Sequence, residues 1–320
     1  MAERALVTGG TGFVGQWLAR LLLAEGFEVT SLGLRQPASG LLSPPEQTAI
    51  HWLHGDIRDR NAVQAALDGA KPDLVFHLAG VSFVPDARDA PIATYEVNVI
   101  GAVGLLSEVA RRRTAGVMDP VVLVIGSATQ YGRHANSAMP LTEEAEQRPV
   151  DVYGASKAAQ EIAARQSQRA DGVRVICTRS FNHSGAGHPE HFLLPALVRR
   201  VLALRETRGG ELRLGNQHSI RDYLHVEDVV RAYLLLARGG KPGEVYNVCS
   251  GEGVTALDLA KEVLLRIGMT AEITTDPALA RGVDVPILVG SPAKLEQATG
   301  WRPTRSRADI IDDLIHAATS

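Results

Sequence analysis

Residues 8–15 read Thr-Gly-Gly-Thr-Gly-Phe-Val-Gly, which puts Gly9, Gly12 and Gly15 at three-residue intervals directly after the apolar run Ala5–Thr8. Each glycine in such a turn answers a separate demand. The first lets the chain turn sharply off a strand, the second lets the backbone approach a pyrophosphate, and the third lets the following helix pack closely on the sheet. Three spaced glycines are weak evidence alone. Here they follow a strand and open the amphipathic stretch Gln16–Glu25, which ends at Gly26. The start of that helix offers free N–H groups and the positive end of its dipole to an anion. Gly9, Gly12, Phe13, Val14 and Gly15 are therefore expected to hold the pyrophosphate of a dinucleotide.

The same rhythm continues. Apolar runs recur at Glu28–Leu32, His51–Leu53, Leu74–Leu78, Val121–Ile125 and Arg174–Cys177, with helical stretches between them, notably Thr94–Arg113 and Tyr153–Gln168. Continuous Val/Ile/Leu runs separated by helices indicate strands covered on both faces, hence an α/β fold with a doubly wound parallel sheet. Beyond about Arg179 the pattern loosens. Val254–Ile267, stopped by Gly268, and Arg307–Ala317 read as amphipathic helices of a smaller C-terminal lobe, interleaved with the sheet.

Composition narrows the class. A formal net charge of −3 gives no electrostatic case for nucleic acid or anionic membranes. No apolar run reaches the roughly 18–20 residues that span a bilayer, and Met1–Gly10 leaves no room for a signal peptide before the first strand. Two cysteines, Cys177 and Cys249, lie inside apolar runs and suit a reducing compartment as buried thiols. The expectation is a soluble, cytoplasmic chain without a metal site.

The residue that discriminates NAD from NADP should end the second strand, where an acid would bind the ribose 2′-OH. Gly33 stands there, and Arg35 is available for a 2′-phosphate. This favours NADP(H), with NAD(H) the alternative. Asp56 and Ile57, after the third strand, are placed to meet the adenine; a solvated loop is the competing reading.

Tyr153 and Lys157 stand four residues apart, on one face of a helix. A free tyrosine is too weak an acid for neutral pH, and a nearby cation lowers its pKa toward the working range. The fifth strand ends in Gly-Ser-Ala-Thr-Gln-Tyr-Gly (126–132). Polar side chains at the carboxyl ends of parallel strands face the ligand crevice, so Ser127 is the natural donor to a substrate oxygen.

Taken together, TGGTGFVG, FHLAG (76–80), Asn98 in EVNVIG, GSATQYG and YGASK resemble the extended short-chain dehydrogenase/reductase family in order and spacing, over nearly the whole chain. That family acts chiefly on nucleotide-diphosphate sugars. The resemblance implies a Rossmann domain over 1–179 with return segments near 222–250, a nucleotide-sugar lobe over 180–320, and Ser127, Tyr153 and Lys157 as catalytic residues. It implies that Leu78, Ala79, Gly80, Asn98, Tyr153 and Lys157 join the cofactor site. It also implies a homodimer formed by Thr94–Arg113 and Tyr153–Gln168 as a four-helix interface.

FNHSGAG (181–187), GNQHSIRDY (215–223), EVYNVCSG (244–251) and VPILVGSPAKLEQATGWRP (285–303) are similar to GDP-mannose-pathway enzymes, most of all GDP-4-keto-6-deoxy-D-mannose reductases. By this similarity Ser82, Thr129, Asn182, Arg221, Arg281 and Asp284 are expected to bind a nucleotide sugar, GDP-linked, with the two arginines forking onto its diphosphate. Arg281 is followed by Gly282 where the group has Pro, and Asp284 stands for Glu. A 4,6-dehydratase carries Glu two residues after its triad Ser or Thr; Thr129 occupies that place. A C4 ketoreductase is expected, with a 4-epimerase, whose Ser-Ala-Thr-x-Tyr-Gly pattern this chain shares, as the alternative.

Overall fold

The computed structural model describes residues 2–35, 41–207, 209–279 and 285–319. The chain begins β1 (Arg4–Thr8), α1 (Phe13–Ala24), β2 (Glu28–Gly33), α2 (Pro44–Ala49), β3 (His51–His54), α3 (Arg60–Ala70) and β4 (Leu74–His77). After α4 (Val84–Asp89) come α5 (Pro91–Tyr95), a π-helical turn at Glu96–Ile100, and α6 (Gly101–Thr114). Then follow β5 (Val121–Ser127), α7 (Val152–Asp171) and β6 (Arg174–Ser180). The remainder runs β7 (Asn182–Ser184), α8 (Leu193–Glu206), β8 (Glu211–Leu214), β9 (Ile220–His225), α9 (Val226–Gly239) and β10 (Val245–Val248). It ends β11 (Gly253–Thr255), α10 (Ala256–Ile267), β12 (Glu272–Thr275), β13 (Ile287–Leu288), α11 (Ala293–Thr299) and α12 (Arg307–Thr319).

Seven parallel strands form one sheet in the order β10-β6-β5-β4-β1-β2-β3. The order reverses between β1 and β4, and in such sheets ligands bind outside the carboxyl ends at that reversal. Register brings those ends level: Thr8 pairs with Leu32 and His77, His77 with Val124, and Ser127 with Ser180. One apolar layer, including Leu18, Leu22, Tyr233 and Leu236, joins α1 and α9 to the sheet. The other, including Val63, Leu67, Leu105, Val109 and Ala164, joins α3, α6 and α7. Both thiols are buried and free.

β7, β9, β11 and β13 form a second sheet, β8 and β12 a third, and α8, α10 and α12 pack around their own core of Leu197, Val201, Val263, Ile310 and Leu314. A small cluster of Tyr131, Leu141, Phe181, Cys249 and Leu288 lies where this lobe meets the end of β5.

Three sequence expectations shift. The first helix begins at Phe13 rather than Gln16, and the stretch expected from Val254 starts as strand, with Val254 and Thr255 pairing β9 before α10 opens at the Thr255 cap. The helix expected over Thr94–Arg113 runs from Pro91 to Thr114 and is long and apolar enough to cross a membrane by length and composition. Its buried face, with Leu105, Leu106 and Val109 inside the sheet core, accounts for that apolarity.

Candidate active site

The glycine turn is built as a cradle that side chains would fill. Gly9 has φ +75°, and a Cβ there would lie 2.7 Å from the Ala79 nitrogen; one on Gly15 would lie 2.4 Å from the Gly9 carbonyl oxygen. Such crowding leaves room for backbone alone. Gly12 caps α1 with no side-chain hydrogen bond, so the first N–H groups of the helix, from Phe13 onward, remain available to an anion. An uncapped helix start above a backbone-only cradle fits a dinucleotide pyrophosphate.

At the end of β2, a Cβ on Gly33 would meet the Thr11 Oγ1 at 2.9 Å, so an acid in that position would require Thr11 to shift. Arg35 is exposed just beyond. Asp56 is held by Arg58, whose guanidinium reaches its two oxygens at 2.7–3.1 Å and also bonds Glu96. The Arg58 hydrogen bond lowers the Asp56 pKa against the opposing effect of burial. Ile57 is buried against Gly101, at the start of α6.

Leu78, Ala79 and Gly80 follow β4 and run past the same crevice. Asn98 fixes their continuation: its Oδ1 accepts from the Val81 N–H at 2.8 Å, while its Nδ2 donates to the Val81 carbonyl and, at 2.9 Å, to Ser156 Oγ of α7. Asn98 sits inside the π-turn at Glu96–Ile100, and such turns cluster at functional sites. Ser82, next along, is exposed.

Ser127 ends β5 and caps a 3-10 turn over Ala128–Tyr131. Its Oγ accepts from the Thr129 N–H at 3.2 Å and from Thr129 Oγ1 at 2.9 Å. Gln130 turns inward, accepting from the Ser127 N–H and donating to Glu161, itself paired with Arg179 at 2.7 Å. Asp151 caps α7 by accepting from the Gly154 N–H at 2.7 Å, which sets Tyr153 in the first turn and Lys157 one turn on. Burial pushes the Tyr153 phenol up to about 12, opposed by its interaction with the Ser127 side chain and reinforced by the Asp151 charge. Burial pulls the Lys157 ammonium down to about 8. That ammonium donates to the Ile125 carbonyl at 2.8 Å and to Gln160 Oε1 at 2.9 Å, so its hydrogen bonds run to these two oxygens rather than to the phenol. His77, whose Nδ1 bonds Thr8 Oγ1 at 2.8 Å, is kept neutral by burial and the nearby Lys157 charge, its pKa near 3.

Across the crevice, Asn182 of β7 pairs with Tyr223 of β9, and half-buried Arg221 donates to the Ile220 carbonyl. Its neighbour Asp222 is fully buried and accepts from Ser250 Oγ at 2.6 Å and from the amides of Ser250, Gly251 and Gly290. Burial raises the Asp222 pKa, against these hydrogen bonds. His188 stacks between Phe13 and Phe192, with centroids at 4.6 and 4.4 Å, tying the phosphate turn to the lobe. Arg281 and Asp284 lie outside the described residues. Asp222 stands beside Arg221 in a stretch that the family resemblance marks, whereas Gln160 and His188 are not signalled by that resemblance. Gln160 carries a legible signal, being three residues beyond Lys157 on one helix face; His188 acts through a fold of the chain that spacing does not show.

The fold and this site define an NAD(P)-binding oxidoreductase that acts on nucleotide sugars. The chain belongs to the extended short-chain dehydrogenase/reductase enzymes of the GDP-mannose 4,6-dehydratase family, whose model matches residues 6–314. It is 33% identical over 304 residues to the GDP-6-deoxy-D-mannose reductase of Pseudomonas aeruginosa, covering 95% of this chain and 93% of that one. Its fold is similar to the structure of RMD from P. aeruginosa complexed with NADPH, with a TM-score of 0.83, 29% identity and coverage of 99% and 100% of the two chains. It is similar also to the Thermus thermophilus UDP-glucose 4-epimerase complex with NAD, with a TM-score of 0.86, 28% identity and 99% of each chain covered.

Proposed function

We propose that the protein is a C4 ketoreductase that reduces a GDP-linked 4-keto-6-deoxyhexose with NADPH. The turn after β5 carries this reading: it presents Ser127 and Thr129 hydroxyls and holds no carboxylate, its Gln130 amide turning inward. Such a turn can serve hydride and proton transfer at one carbon but supplies no acid–base group for eliminating water. Similarity to a GDP-6-deoxy-D-mannose reductase supports the same reading.

In this reading the cofactor lies along Gly9–Gly15, Arg35, Asp56, Ile57 and Leu78–Gly80 and supplies the hydride. Ser127 donates a hydrogen bond to the C4 carbonyl oxygen. Tyr153, whose phenol pKa is raised by burial above its ordinary value rather than lowered as expected, keeps its proton at neutral pH and hands it to that oxygen as it becomes an alkoxide. Lys157 holds a positive charge beneath the site and orients the cofactor ribose. Residues 1–179 and the returning segments near 222–250 carry the cofactor; the lobe over 180–320 carries the nucleotide sugar through Asn182, Arg221, Arg281 and Asp284. The crowding of Thr11 against Gly33 and the exposed Arg35 support NADP(H) over NAD(H). Ile92, Tyr95, Ile100 and Val103 of the 91–114 helix and Ile162 of α7 are exposed apolar residues, which supports the homodimer.

The test is stopped-flow oxidation of NADPH by enzymatically generated GDP-4-keto-6-deoxymannose. Rapid single-turnover oxidation is the expected result; a folded, NADPH-binding protein that leaves the keto sugar untouched would refute the reading. A 4-epimerase with retained NAD is the second reading, favoured by the Ser-Ala-Thr-Gln-Tyr-Gly turn. It requires copurifying NAD and interconversion of two nucleotide sugars without net cofactor consumption.

A further inference from the structure

Ser127 stands with its hydroxyl oxygen approached twice by one neighbour. The Thr129 amide donates to it at 3.2 Å and the Thr129 hydroxyl at 2.9 Å. A serine hydroxyl has two lone pairs and one proton. With both lone pairs engaged, Ser127 can act only by giving its proton. The supporting turn is anchored from below: the Ser127 N–H donates to Gln130 Oε1 at 2.7 Å, Gln130 to Glu161 at 2.8 Å, and Arg179 holds Glu161. The Thr129 side chain is thus the adjustable element that sets the Ser127 hydroxyl.

The geometry points to Thr129 as a positioning residue that makes Ser127 an obligate hydrogen-bond donor, to the Tyr153 phenol in the free protein and to the reacting oxygen when substrate is bound. This rests on the ketoreductase reading, in which Tyr153 is the acid. The identity of residue 129 then sets the polarity of Ser127.

Thr129→Val removes the hydroxyl while keeping the volume and the amide; Thr129→Ser keeps the hydroxyl. In Thr129→Val, kcat should fall about tenfold, the effect of one misdirected hydrogen bond to developing charge, with KM unchanged. A donated hydrogen bond stabilises the phenolate, so its loss raises the Tyr153 pKa. The alkaline limb of kcat/KM, where Tyr153 loses the proton it must give, should move to higher pH. The other ionisable groups around this centre are Asp151 and Lys157 of α7, His77 of β4 and Tyr233 of α9. All are retained in every variant. Thr129→Ser should restore both rate and limb. Ser127→Ala with Thr129→Val should be no slower than Ser127→Ala alone, since Thr129 acts through Ser127.

A readout without turnover comes from crystals of the cofactor-free protein, in which Ser127 Oγ should leave its position in Thr129→Val and keep it in Thr129→Ser. Should Thr129→Val fail to fold, Thr129→Ala serves the same comparisons. Unchanged kcat and pH limb, or a loss confined to KM, would overturn the role of Thr129. If Tyr153→Phe turned over like the unaltered protein, the ketoreductase reading would fall instead, so the two failures are told apart.

Discussion

The parallel sheet and the C-terminal lobe solve the problem of holding a ligand in different ways. At the β1–β4 end of the sheet, backbone does the holding, through a glycine cradle, an uncapped helix start and strand ends brought level by register. In the lobe the proposed contacts are polar side chains on short strands, Asn182 and Arg221, and the buried Asp222 beside Arg221 ties β9 to the Ser250–Gly251 turn. Backbone sites are intolerant of added atoms and indifferent to lost charge. Side-chain sites behave the opposite way.

Chemistry at the junction of the two should fail most completely. Tyr153→Phe should lower kcat about a thousandfold, the scale of a lost general acid, with NADPH affinity by fluorescence titration unchanged; a kcat within tenfold of the unaltered protein would remove Tyr153 from the reaction. On the sheet side, Gly15→Ala forces a Cβ to 2.4 Å from the Gly9 carbonyl. NADPH binding should weaken about a hundredfold, as the turn must open to admit the methyl group, while calorimetric affinity for GDP stays the same. Weakened GDP binding would show the two regions to be less separable than described.

Lys157→Met tests a charge buried by the sheet layer. The folded pKa near 8 lies below the ordinary 10.5, so the unfolded chain binds the extra proton between those values and the native protein gains stability as pH rises through that window. From pH 7 to pH 9.5 the unaltered protein should gain about 2 kcal/mol more than Lys157→Met in urea denaturation; identical pH dependence would contradict a depressed lysine. The smallest effect belongs to the lobe. Arg221→Leu should raise KM for the nucleotide sugar about tenfold, the worth of one charge-assisted contact, with NADPH affinity intact in the same preparation.

The same contrast governs what could be read in advance. Strands β1, β2, β4, β5 and β6 are apolar, largely buried runs bounded by turns, so their positions and parallel pairing follow from that pattern, and the glycine turn and Tyr153–Lys157 follow from their place beside them. β11 and β13 have three and two residues, too few for any period to register, and they exist because β9 offers them edges to pair. The direction of the Lys157 ammonium was not legible either. Spacing put it on the face of Tyr153, but it donates to the Ile125 and Gln160 oxygens at 2.8 and 2.9 Å. Gln130 could be dismissed as an acid from its chemistry alone, whereas its inward turn to Glu161 depends on Arg179, which is 49 residues further along the chain.

The wide turn at Glu96–Ile100 makes the length of its helix a constrained quantity. The turn takes up one residue more than ordinary winding, so deleting one there would restore that winding with little rotation of the helix beyond it. Leu105, Leu106 and Val109 would stay on the sheet, while Asn98, inside the turn, would lose its aim at Val81 and Ser156. The surplus residue therefore serves the reaction centre, through Asn98, rather than the packing of the domain.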